Sequence, residues 1–168
     1  MEKQIDQGAS PGMAAFFSLV NNPFKFRLYL LRNLPAAFFS GVKLKEATPG
    51  QCTASVPFRW LTQNPFRSTY FASLSMAAEL STGILAMAHV YRRKPAVSML
   101  VLTLEAGFHK KAKGVTYFTC RDGGKIADAI QAATVSGISQ EVKAYSAGTN
   151  EAGDLVAEFW ITWSFKAK

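Results

Sequence analysis

Residues 70–91 read YFASLSMAAELSTGILAMAHVY, and the only formal charge in the run belongs to Glu79. The run is apolar nearly all round, the pattern of a helix buried inside a fold. It is long enough to cross a bilayer, but a central Glu79, four Ser/Thr residues and His89 argue for a soluble core helix. Arg92, Arg93 and Lys94 suit the C-terminal end of such a helix through its dipole, and Pro95 stops it. A carboxylate in the middle must be buried, paired, protonated or used, because an isolated buried charge costs roughly several kcal/mol. Just upstream, residues 64–69 (NPFRST) form a turn-like stretch that starts the helix. A polar Asn64 before a helix and an acid near its middle together outline a reaction site.

Working outward, residues 11–34 read as two short amphipathic helices broken at Asn22 and Pro23. Ser10 is the expected N-cap, with Pro11 at the first helical position. Packing of these helices on the main sheet is the favoured reading. A lid over an apolar ligand, or a membrane-surface contact through residues 11–34, is the alternative. Pro35 ends the unit. Residues 37–47 and 51–58 then read as strands joined at Thr48, Pro49 and Gly50, with Val42, Leu44, Ala54, Val56 and Phe58 turned inward. After the long helix come a long strand at 96–109, a short one at 115–121 and a helix at 125–135. A strand pair at 138–149 and 154–166 closes the chain. The last strand alternates, with Leu155, Ala157, Phe159, Ile161, Trp163 and Phe165 on one side. Both of its faces are apolar, so a helix on one side and a second subunit on the other are expected. The order predicts an α+β fold, an antiparallel sheet wrapped around a long central helix. Residues 1–35 form an N-terminal helical extension and residues 36–168 a single domain.

A chain of 168 residues with 49% apolar and 18% charged content is ordered, and large enough for one real core. The formal charge of +8 favours an anionic partner. Basic residues cluster at Arg92, Arg93 and Lys94 and again at Lys110, Lys111 and Lys113, as solvated loop ends or as an anion site. They are not interleaved with aromatic residues in a nucleic-acid motif. Cys52 and Cys120 form no CxxC and have no His/Cys cluster near them, which excludes a structural zinc site and points to core thiols in a reducing compartment. The polar start MEKQIDQGASPG is not a secretory signal, and a cytoplasmic location is expected.

The element order, the helix character and the residues from Asn64 to Glu79 resemble the hotdog fold. Within it the chain resembles the PaaI-like acyl-CoA thioesterases, and most closely the DUF4442 branch related to the YiiD-type thioesterase domain. PaaI-like enzymes carry Asn, two residues, Gly, two residues and then His-Gly-Gly, with an acid nine residues past the His. Asn64 matches the Asn, and Glu79 falls nine residues after Tyr70. Arg67 stands in place of the Gly, and Tyr70, Phe71 and Ala72 replace His-Gly-Gly. The Lys110–Gly114 stretch and the final FWITWSF also resemble the family, and the likeness covers about residues 36–168.

The resemblance implies hydrolysis of an acyl-CoA thioester, with coenzyme A as part of the substrate and no other cofactor. Glu79 is the expected general base or nucleophile. Asn64 is expected to hold the water or the thioester oxygen. The backbone N–H groups of Tyr70, Phe71 and Ala72 are the expected oxyanion donors at a helix N-terminus. Arg92, Arg93, Lys94, Lys110, Lys111 and Lys113 suit the phosphates of coenzyme A, with both clusters near the sheet edge. In related folds the acid and the Asn meet across a subunit interface, which implies a dimer, or a dimer of dimers, as the active unit. Ser73, Ser75, Ser81 and Thr82 read as helix packing, His89 and His109 as ordinary residues, and Glu105 as a paired strand residue. A catalytically silent module that binds acyl-CoA or another lipid-like anion is the competing reading. A hotdog dehydratase is disfavoured, because such enzymes need a His near the helix start and this chain has none there.

Overall fold

The computed structural model describes residues 11–168. The long helix of the sequence reading is α4, Phe71–Val90. Around it curls one six-stranded antiparallel sheet. Its strands are β1 (Lys43–Ala47), β2 (Cys52–Pro57), β3 (Val97–Phe108), β4 (Val115–Cys120), β5 (Gln140–Thr149) and β6 (Leu155–Ala167). They lie side by side in the order β1-β2-β4-β5-β6-β3. Helix α5, Gly123–Ser136, links β4 to β5 and buries Ile126, Ile130 and Ala133.

Small residues explain how closely α4 lies on the sheet. Ala77, Ala78, Ser81, Thr82, Gly83 and Ala86 are all buried. Ser81 Oγ donates to the Ala78 carbonyl at 2.7 Å and lies 2.7 Å from Ser146 Oγ on β5. The Trp163 indole N–H of β6 donates to Thr82 Oγ1 at 2.9 Å. Ser81 and Thr82 are therefore packing hydroxyls, as their sequence context suggested. Gly123 serves the same end on α5, since a Cβ there would lie 2.1 Å from the Pro49 carbonyl oxygen.

The alternation of β6 holds from Ala157 to Phe165, all buried on the helix side. It fails at Leu155, which is exposed while Val156 is buried. A register shift between Gly148 and Thr149 of the paired strand accounts for the slip, because one extra residue reverses the facing. Cys52 pairs in register with Cys120 on the adjacent strand, and both are buried free thiols. Burial pushes both upward, Cys120 to about 11.

The N-terminal break falls where expected, between α1 (Pro11–Val20) and α2 (Pro23–Asn33). Asn22 Oδ1 caps α2 by accepting from the Lys25 N–H at 3.0 Å. The expected cap Ser10 lies outside the described residues. Met13, Phe16 and Val20 of α1, with Phe26 and Leu30 of α2, join the same hydrophobic cluster as α4. Asn21 bonds both backbone groups of Ala47 on β1. One expectation fails here. Residues 37–42 are not strand, because Pro35 opens a further short helix, α3 (Pro35–Phe39), and β1 starts only at Lys43. Proline keeps Leu34 out of helical geometry (φ −137°, ψ 62°), which ends α2, and its own fixed φ then suits a first helical turn.

Candidate functional site

The loop before α4 is held by Asn64. Its side-chain oxygen accepts from the Phe66 N–H at 3.0 Å, the Ser68 N–H at 3.2 Å and the Ser68 hydroxyl at 3.2 Å. Arg67, which stands where the PaaI-like motif has Gly, takes a left-handed φ of 57°. Thr69 ties the loop to the far side by donating to the Ala112 carbonyl from its N–H (2.8 Å) and its hydroxyl (3.2 Å). The Tyr70 N–H donates to the Thr62 carbonyl at 2.7 Å, so it is already engaged. The N–H groups of Phe71 and Ala72 belong to the open first turn of α4 and keep their capacity to donate. These residues form one wall of a groove of about 610 Å³, whose opposite wall is Phe108, His109, Lys110, Lys111 and Ala112. Asn64, the helix start and two of the predicted lysines therefore share one groove.

Glu79 does not line that groove. It lies two turns further along α4, about 12 Å from Phe71 along the axis. It opens on a separate hollow of about 310 Å³ walled by Asn33, Leu34, Pro35, Ala36, Ala37, Met76 and Leu80. Among the described residues, no hydrogen bond or ion pair reaches its carboxylate. Burial in these apolar walls raises its pKa above the ordinary carboxylate value. Space for the carboxylate comes from Gly83, where a Cβ would lie 3.0 Å from Glu79 Oε1 and 3.4 Å from the Trp163 ring. Tyr29 of α2 also belongs to these surroundings. Its hydroxyl donates weakly to Met87 Sδ at 3.7 Å, and burial followed by the Glu79 charge raises its pKa.

The two basic clusters are not brought together. Arg92, Arg93 and Lys94 follow the C-terminal end of α4, whose length is about 30 Å, while Lys110, Lys111 and Lys113 lie by its start. Both clusters do flank the edge strand β3, one before Val97 and one after Phe108, but at its opposite ends, so they do not converge on one site. Lys110 is paired with Asp154 at 3.2 Å, and Arg93 Nη2 donates to Gln131 Oε1 at 2.5 Å. Glu105 pairs with Lys143 at 2.7 Å, as a strand residue should.

Sequence reading missed a set of residues by the groove. His109 Nε2 lies 3.3 Å from Glu158 Oε1, and the Tyr145 hydroxyl donates to Glu158 Oε2 at 2.9 Å. The three come from β5, β6 and the residue after β3, so no local pattern joins them. The only sequence signal was the position of His109 beside the basic run. Also missed was a hollow of about 540 Å³ between α2 and β1, walled in part by Arg27, Lys43, Lys45 and Arg59.

Comparison with known proteins bears on the fold. A family model described as a domain of unknown function, DUF4442, matches residues 27–165. No curated protein matches the chain. Among solved structures, the chain is similar to PA5026 from Pseudomonas aeruginosa, described as of unknown function and a probable thioesterase. That match has 23% identity and a TM-score of 0.73, covering 87% of this chain and 97% of the other. A protein of unknown function from Chlorobaculum tepidum, OLEI01261, matches at 13% identity with a TM-score of 0.73, over 90% and 99% of the two chains. The thioesterase HI1161 from Haemophilus influenzae matches at 15% identity with a TM-score of 0.60, over 83% and 88%. These likenesses establish the sheet-wrapped-helix fold.

Proposed function

The chain belongs to the DUF4442 family, within the hotdog fold, and on that footing we propose that it hydrolyses an acyl thioester of the acyl-CoA class. One observation carries the reading: the Glu79 carboxylate stands in an apolar hollow with no partner among the described residues, and its pKa is raised. An acid kept this way is a base waiting for a proton. Ionised Glu79 takes a proton from water, and the hydroxide oxygen adds to the thioester carbon. The developing oxyanion is met by the N–H groups of Phe71 and Ala72, aided by the helix dipole. Collapse of the tetrahedral species breaks the carbon–sulfur bond. The proton held by Glu79 passes to the departing thiolate, leaving a free acid and a thiol.

On one chain the base and the donors line separate pockets. A second copy that sets its groove against the Glu79 hollow would complete the site, and this supports a dimer as the working unit. Lys110 and Lys111 on the groove wall are the nearest cations for the phosphates of a CoA-type leaving group. The test is thiol release from short, long and aromatic acyl-CoAs, comparing the native chain with Glu79→Gln. Release that disappears in the variant supports the reading, and equal release in both rejects the role of Glu79.

The second reading is a module that binds acyl-CoA without hydrolysing it. It is favoured by Tyr70 and Phe71, whose rings stack edge to face at 4.7 Å where PaaI-like enzymes have His-Gly-Gly. Thermal protection by acyl-CoA without thiol release would select it.

A further inference from the structure

Helix α2 packs with one face only. Phe26 and Leu30 are buried, whereas Phe24 is 79% exposed, Leu28 59% and Leu31 42%. Positions 24, 28 and 31 form a single stripe at helical spacing. With Pro23, Arg27 and Phe38 they wall an almost wholly apolar groove of about 510 Å³. Cations border the stripe on both sides, Lys25 and Arg32 along one edge and Arg27 along the other. Arg27 holds its guanidinium 3.9 Å from the Phe38 ring centre, and it is shared with the basic hollow that also contains Lys43, Lys45 and Arg59. Residues 11–45 contain five basic side chains and no acidic one.

An exposed apolar stripe rimmed by cations matches a lipid interface. Phenyl and leucyl groups enter the boundary of the acyl chains, while Lys and Arg extend to the headgroups. A second copy fits the stripe poorly, because a two-fold contact would set Lys25, Arg27 and Arg32 against their own counterparts. We propose that α2 docks on an anionic phospholipid membrane, with Phe24, Leu28 and Leu31 inserted and Lys25, Arg27 and Arg32 at the headgroup phosphates. The basic hollow adds attraction at the same surface. This inference is independent of the thioesterase reading.

The test is co-sedimentation of the full chain with vesicles of phosphatidylcholine, or of phosphatidylcholine with about one third phosphatidylglycerol. The expected result is binding to the anionic vesicles alone, weakened by salt. Two double variants, Phe24→Ser with Leu28→Ser and Lys25→Glu with Arg32→Glu, should each lose at least about tenfold in partitioning. All four positions are exposed, so their circular dichroism and Tm should match the native chain. The proposal is overturned by absent sedimentation, by equal sedimentation with both vesicles, or by variants that partition normally. It is also overturned if Phe24→Ser abolishes self-association while the native chain ignores vesicles, which would place a second copy on the stripe.

Discussion

Because burial raises the pKa of Glu79, its charge works against folding at neutral pH. The unfolded chain releases this proton near the ordinary value of 4.5, and the folded chain releases it higher. The stability that the protonated group provides is complete below the unfolded pKa and is lost as pH rises through the folded one. Glu79→Gln should therefore have the higher Tm at pH 7, and the gap should close on acidification. Superimposable Tm–pH curves would mean that the carboxylate is solvated. In the proposed mechanism the same window has the opposite sign for catalysis, since only ionised Glu79 is a base. Thiol release by the native chain should have an acid limb displaced above 4.5. At Asn64, the loop bonds use the side-chain oxygen, while catalysis would use the amide N–H. Asn64→Asp keeps the acceptor and removes the donor. It should preserve Tm and lower kcat more than it changes KM, whereas a pure KM effect would assign Asn64 to substrate positioning. Glu79 was legible in the sequence because one charge in an apolar run is conspicuous. Tyr29, Tyr145 and Glu158 were not, because the fold alone brings them to their partners.

At the scale of elements, α4 was legible because it is apolar on every side, and β6 because its side chains alternate. The five-residue α3 was not, because Pro35 signals both the end of one helix and the start of another. The interior of α4 tests how its small residues work. Gly83→Ala would gain about 1 kcal/mol of helix propensity on a free surface. Here the new methyl meets Glu79 Oε1 and Trp163, and crowding of this kind costs about 1–3 kcal/mol. We expect no gain in Tm and a fall in kcat as the carboxylate is displaced. A higher Tm with unchanged kcat would show that Glu79 moves aside freely. Ser81→Ala leaves the buried Ser146 hydroxyl without its only partner among the described residues, which should cost about 1–3 kcal/mol. Adding Ser146→Ala should recover most of that loss, and strict additivity of the two changes would dissociate the pair.

The molecule has one side that the described residues do not cover. Strand β3 is twelve residues long and forms an edge of the sheet. Leu104 and Phe108 stand opposite Ile161 and Ala157 on the face that elsewhere covers α4, yet they are 46% and 52% exposed. Long apolar edges invite pairing with another strand. A second copy paired on β3 would cover these side chains, and the shared site proposed above requires that copy to set its groove against the first chain's Glu79. The sequence suggested a second subunit through the two apolar faces of the last strand and through family resemblance, but an interface has no local periodicity, so neither pointed to β3. The sharpest test uses two variants that are each inactive. Glu79→Gln retains Asn64, and Asn64→Ala retains Glu79. If each site takes one residue from each chain, a re-equilibrated equimolar mixture holds half its molecules as mixed dimers, each with one intact site. Thiol release should then return to about one quarter of the native rate. Sites confined to one chain would give no recovery at any mixing ratio. Leu104→Glu, introduced into both variants, should halve the solution mass and abolish the recovery, tying the shared site to the β3 edge.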